Sequence, residues 1–259
     1  MGRAYEVRKA AIQKNGAAKA KVYSNFAKEI YIAAKSGGTN IESNDKLKQL
    51  VDKAKRSQVP SDIINRAIDK VNSGVDESYQ SLRYEGFGPG ASTLIVDCLT
   101  DNVNRTVGLV RPAFTKCDGK LGVTNSVAHF YENIAVISVK DITEEEVFEL
   151  IMNEGVDIKD IETDEDEVII TGDAKEYYNI KKALLNGKPD INIDIDEVTM
   201  APLEKVTLEG EDLEKFNKLL NMLDDIEDVQ NVYHNVELWW VFKKLVFFFF
   251  KICYYINRG

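Results

Sequence analysis

Between Ala135 and Thr199 the spacing of apolar residues switches between period two and the 3.6-residue period in an order that few folds accommodate. Ala135 to Val139 reads as a strand, Thr143 to Asn153 as a helix, and Asp157 to Glu162 and Val168 to Thr171 as strands. Ala174 to Asn186 is a second helix and Ile191 to Thr199 a last strand. This β-α-β-β-α-β order is the ferredoxin-like arrangement. Asp164-Glu165-Asp166-Glu167 falls between its middle strands, where it reads as a solvated hairpin turn. It lacks the glycine and twelve-residue spacing of a calcium loop.

The elements on either side supply a second unit of the same kind, cut in two. Thr93 to Leu99 is a dense apolar run, Val103 to Lys116 a helix, and Ala128 to Tyr131 the start of an extended segment. Glu211 to Leu223 then reads as a helix and Val229 to Tyr233 as a strand. Residues 76–133 and 203–236 are therefore expected to form one split α+β domain, with 134–202 inserted into it. Ahead of both, Val22, Phe26, Ile30 and Ala33 follow helical spacing from Lys19 to Lys35 until Gly37-Gly38. Leu47, Leu50, Val51 and Ala54 form a second stripe, and Pro60-Ser61 opens a third helix with Ile63, Ile64, Ala67, Ile68 and Val71 inward. The expected fold is α+β: a three-helix domain over 1–75 followed by two ferredoxin-like domains, the third inserted into the second.

Charge is sorted along this order. Residues 1–75 hold fifteen Lys and Arg against seven Asp and Glu, whereas 141–236 hold eight against twenty-eight, in a chain whose overall net charge is -10. A basic face attracts polyanions and an acidic body repels them, so the first domain is the natural dock for a phosphate backbone. The candidate contacts are Arg3, Arg8, Lys9, Lys14, Lys19, Lys21, Lys28 and Lys35, with Lys14, Lys19 and Lys21 expected on exposed positions. Arg105 joins them for a different reason. Asp101 or Asn102 can cap the helix that follows, which leaves Arg105 in its first turn, where the helix dipole disfavours a cation. Gripping phosphate, or bridging to a carboxylate of the inserted domain, would each account for it.

Tyr84-Glu85-Gly86-Phe87-Gly88-Pro89-Gly90 reads as a glycine loop ahead of a strand, with Phe87 able to offer a stacking face to a base. The spacing is not that of a phosphate-binding P-loop, so nucleotide hydrolysis has no support. Ser126 and His129 have no oxyanion motif beside them, and no enzymatic activity is expected. Three cysteines without Cys-x-x-Cys spacing and two histidines leave no metal or cofactor site and fit a reducing cytoplasm. Leu238 to Ile256 stands apart. It carries Trp239, Trp240 and the run Phe247 to Phe250, but Lys243, Lys244 and Lys251 divide it into pieces too short to span a bilayer. It reads as an unrelated extension, with an interfacial anchor or a packed partner helix as alternatives. Truncation after Val236 is expected to keep helical content and affinity while improving solubility, as circular dichroism and binding would show.

The order Ala33-Ala34-Lys35-x-Gly37-Gly38, Arg66-Ala67-Ile68, Tyr84 to Gly90, Asn102-Val103-Asn104-Arg105-Thr106, Gly119-Lys120-Leu121-Gly122, Ser126-Val127 and Val229 to Asn235 resembles the YebC/PmpR family from Met1 to about Val236. The opening Gly2-Arg3-Ala4-Tyr5-Glu6 differs from the commoner Gly-His-Ser-Lys-Trp and is similar to the YeeN-like branch. The resemblance implies a cytoplasmic three-domain protein of the probable transcriptional regulators that bind DNA. It equally implies kinship with a mitochondrial translational activator of a cytochrome oxidase subunit, and with ribosome-associated factors that relieve stalls at proline runs. The target is accordingly promoter DNA or ribosomal RNA, with polymerase or the ribosome as further partners, no membrane, and a monomer favoured. Phosphate contacts are common to both nucleic acids, and no clear base-reading set is visible.

Overall fold

A computed structural model describes residues 3–73, 78–164 and 167–237, without the side chains of residues 3–18 and 164. The segment Leu238 to Ile256 lies outside it. Helices α1 (Arg3–Gly37), α2 (Asp45–Arg56) and α3 (Ser61–Asn72) come first. α1 begins well before Lys19, because Ala10, Ala11, Ala17, Ala18 and Ala20 offset the cost of about 1 kcal/mol for Gly16 in a helix interior. Asn44 caps α2 by accepting from the Leu47 amide at 3.1 Å, while its own amide nitrogen donates to the Ala33 and Gly38 carbonyls at the end of α1. One buried side chain thus ties two helix ends together. Ile30, Ala33, Ala34, Leu47, Val51, Ala54, Ile64, Ala67 and Ile68 form this part's own core.

The first sheet contains β1 (Gln80–Phe87), β2 (Thr93–Thr100), β3 (Lys120–Leu121) and β8 (Val229–His234) in the order β3-β1-β2-β8. α4 (Val103–Thr115) and α7 (Gly210–Asp224) contribute Val110, Phe114, Phe216 and Leu219 to the core shared with Leu94, Val96 and Cys98. The sequence reading overlooked β1. Its Tyr84-Glu85-Gly86-Phe87 is not a loop but the end of a strand, and the turn proper is Gly88 to Ser92. The Gly88 amide donates to the Ser92 carbonyl at 2.9 Å there, and Gly90 takes φ +60°. Ser81 and Arg83 are exposed and Leu82 and Tyr84 pack against the core, a short alternation that stops at the buried Glu85 and at Gly86, which has no side chain. A Cβ on Gly86 would meet the buried Phe114 ring at 2.5 Å. Gly86→Ala is therefore expected to cost about 1–3 kcal/mol by overpacking, read as a lowered urea midpoint.

The other sheet belongs to a unit that spans Val127–Lys205. Its elements are β4 (Tyr131–Lys140), α5 (Glu144–Asn153), β5 (Asp160–Asp164), β6 (Glu167–Asp173), α6 (Tyr177–Gly187) and β7 (Asn192–Pro202). Strands β5-β6-β4-β7 pair antiparallel in the order that ferredoxin-like folds use. Ala128 to Phe130 is a short 3-10 turn rather than extended, and the strand starts at Tyr131. Thr143 and Glu146 close a reciprocal capping box on α5. Ile137, Val139, Val147, Ile151, Ile170, Ile180 and Leu184 fill the layer between helices and sheet. All of this sheet's strands lie between β3 and α7, so the chain has an α+β fold with the last domain inserted into the one before it.

Candidate nucleic-acid interface

α1 carries the expected cations, and the structure sorts them. Arg3, Arg8, Lys9 and Lys14 lie on the helix, their side chains outside the described set. Lys19 is half-buried; Lys35 is exposed, its Nζ 5.8 Å from the Tyr31 ring centre. Lys21 does not occupy the exposed position expected of it. Its side chain is 17% exposed, and Nζ donates to the Asp224 carbonyl at 2.5 Å and pairs with Asp224 Oδ1 at 3.0 Å. One turn on, Ser24 Oγ donates to Glu227 Oε1 at 2.9 Å. Lys28, 11% exposed, lies 3.5 Å from Asp228 Oδ1 and 3.9 Å from Glu227 Oε1. Positions 21, 24 and 28 form one stripe of a helix. It meets the end of α7 and the turn before β8, where Asp224 sits at a helix C-terminus that favours a cation.

Arg105 is held on the same turn. Asn102, not Asp101, caps α4 by accepting from the Arg105 amide at 3.0 Å. The guanidinium then folds back, with Nη2 2.9 Å from Asp228 Oδ1, Nε 3.2 Å from Oδ2, and Nη2 2.7 Å from Asp101 Oδ1. The bridge the sequence allowed for exists, but its carboxylates lie beside the first sheet rather than in the inserted unit. Asp228 is the hub. It is 3% exposed, accepts from Thr106 Oγ1 at 2.9 Å, and its carbonyl accepts from the Leu99 amide at 2.8 Å. Burial pushes its carboxyl up, but hydrogen bonds from Thr106 and Arg105 and the charges of Lys28 and Arg105 outweigh this and hold it below its ordinary value.

The glycine segment has other neighbours than the carboxylates that hold Arg105. Gly90 packs under Leu208 and Asp212 at the start of α7, and Phe87 is half-buried with Lys120 Nζ 5.7 Å from its ring centre. A cleft of about 600 Å³ does separate α1 and α2 from β1, β2 and β8. It is lined by Glu29, Lys46, Leu50, Leu82, the paired Arg83 and Asp97, and Gln230 among others. Burial raises the Glu29 carboxyl, against the opposing pull of Lys53 and Lys46.

Sequence reasoning passed over the cations of α2. Lys46, Lys48, Lys53, Lys55 and Arg56 are all exposed, five in a twelve-residue helix, and that density is legible in the sequence without any structure. It passed over Asp228 for want of any local motif. Among the described residues no three His, Cys, Asp or Glu side chains are grouped as a metal ion would require. Cys98 and Cys117 are buried, and burial pushes the Cys98 thiol up to about 12, which makes it a poor nucleophile.

The fold defines a three-part α+β protein in which a cation-rich helical part precedes two four-stranded antiparallel sheets. The chain belongs to the TACO1/YebC family: residues 3–74 match its N-terminal domain and residues 79–236 its second and third domain. It is 47% identical over 238 residues to the "Probable transcriptional regulatory protein VPA0011" of Vibrio parahaemolyticus, covering 92% of this chain and 100% of that one. A Pseudoalteromonas atlantica protein named "Probable transcriptional regulatory protein" is 46% identical over 235 residues, with 91% and 97% covered. The crystal structure of the conserved hypothetical protein Aq1575 from Aquifex aeolicus superposes with a TM-score of 0.72 at 34% identity. That match covers 85% of this chain and 90% of that one. No described helix is long and apolar enough to cross a membrane.

Proposed function

We propose that this chain is a cytoplasmic regulator of gene expression that acts by binding nucleic acid, without catalysis, through the cations of its three-helix part. The observation that carries this reading is the surplus of Lys and Arg in residues 1–75, with Lys35, Lys46, Lys48, Lys53, Lys55 and Arg56 exposed on α1 and α2. Relatives named as transcriptional regulators support a regulatory role at the level of the family. Lys21 and Lys28 are largely buried against carboxylates and Arg105 is held by Asp228 and Asp101, whereas the α2 cations are exposed, Lys48 in a surface pair with Glu42; α2 and the outward cations of α1 are therefore the first phosphate contacts. Duplex DNA is the target this reading favours.

Retention of the full-length protein on duplex DNA, set against co-sedimentation with ribosomes, tests it. Retention on duplex that is lost at high salt supports a DNA regulator. Sedimentation with ribosomes and no retention on DNA transfers the same surface to ribosomal RNA. Binding to neither removes the reading.

A further inference from the structure

We propose that the acidic turn from Asp224 to Asp228 is an internal phosphate mimic: it occupies the Lys21–Ser24–Lys28 stripe of α1 and holds that stripe shut until a nucleic-acid backbone displaces it. This rests on the reading of the helical part as a polyanion-binding surface and adds a gate to it. Lys21, Ser24 and Lys28 present two cations and a hydroxyl along one side of a helix, a donor set suited to successive phosphates. Each group instead meets a carboxylate oxygen more than 190 residues away in sequence.

The contact is built to open. Among the described residues the three-helix part and the first sheet have separate apolar cores, with a cleft of about 600 Å³ between them and the edge-on contact of Tyr31 with Tyr79 beside it. Asp224 and Glu227 are 61% and 70% exposed on their side chains, and ion pairs to such groups contribute about 0–1 kcal/mol each. Release of α1 leaves no buried charge stranded on the acidic side, because Asp228 keeps Arg105 and Thr106. A nucleic acid that gains two phosphate contacts therefore opposes two pairs to exposed carboxylates and one long contact, 3.5 Å, from Lys28 to the buried Asp228.

The test is the salt dependence of binding by the full-length chain to a duplex DNA of about 20 base pairs and an RNA of similar length. Asp224→Asn with Glu227→Gln removes two of the stripe's three carboxylates, freeing Lys21 and leaving Lys28 facing Asp228. Affinity should rise on the order of tenfold near 0.1 M salt, and the log–log salt slope should steepen by about 0.7–0.9, as Lys21 becomes available. Glu145→Gln with Glu149→Gln, which removes equal charge from exposed α5 positions, should leave the slope unchanged. Adding Lys21→Gln and Lys28→Gln to the acid variant should cancel the gain. An unchanged slope in the acid variant overturns the proposal, and so does a gain that survives loss of both lysines. If the wild type binds and neutralisation changes nothing, the gate alone fails; if neither protein binds either probe, the nucleic-acid reading fails with it.

Discussion

Asp228→Ala is expected to be the most damaging single substitution at the junction, lowering stability by about 2–3 kcal/mol. Removing one partner of a buried charged network costs more than the network contributes, because the remaining groups lose their acceptor. Here the buried Thr106 hydroxyl is left with the Asn102 carbonyl alone as acceptor, and Lys28 keeps only a long contact to Glu227. Arg105 is 47% exposed and retains Asp101, which keeps the loss below that of a fully buried pair. At this chain length the change corresponds to a melting temperature lower by about 5–10 °C. Asp228→Asn preserves shape and an acceptor for Thr106 and should recover part of it. Arg105→Ala should lower the melting temperature less, and affinity only in step with stability, since its guanidinium is committed to carboxylates.

The same residue sets a pH dependence. The native Asp228 carboxyl lies below its ordinary value of 3.8, so its contribution is fully present above that value and is lost as pH falls through the lower native one. Thermal melts of wild type and Asp228→Asn should therefore differ at pH 6 and begin to converge only as pH falls below 3.8. A difference that persists in acid would show that charge at Asp228 is not what stabilises the turn.

The order of elements was legible in the sequence because the inserted unit has strict periodicity, and its capping box at Thr143 and Glu146 is a local signal. The three-helix stripe was legible for the same reason. β1 was not, since its alternation of Ser81, Leu82, Arg83 and Tyr84 is only four residues long and ends at Glu85-Gly86, which are both buried. The site was harder still. Charge sorting marks a basic part by composition, but composition does not say which cations face water and which face carboxylates. Lys21 and Lys28 are paired with residues about 200 positions away, and nothing within α1 encodes that.

The second large effect follows from what remains exposed. Changing Lys19, Lys48 and Lys55 to Glu alters half-exposed or exposed positions of α1 and α2 and should cost about 1 kcal/mol of stability or less apiece, through the lost surface pair of Lys48 with Glu42 and the last-turn position of Lys55 in α2. Each lost phosphate contact near 0.1 M salt removes roughly a factor of eight in affinity, so the triple variant should bind on the order of 10²–10³-fold more weakly. Circular dichroism should show the helices intact. A triple variant that is folded and binds as tightly as wild type would place the nucleic acid elsewhere on the molecule.

The most direct test of the central claim is the dependence of affinity on salt for the full-length protein, measured by fluorescence anisotropy with duplex DNA and with RNA. With six or more cations on phosphates, log K should fall against log salt with a slope of about -4 to -6, and the triple variant's slope should be shallower by about 2–3. A flat response, or a steep one that the triple variant leaves unchanged, would contradict the assignment of the three-helix part as the phosphate-binding surface.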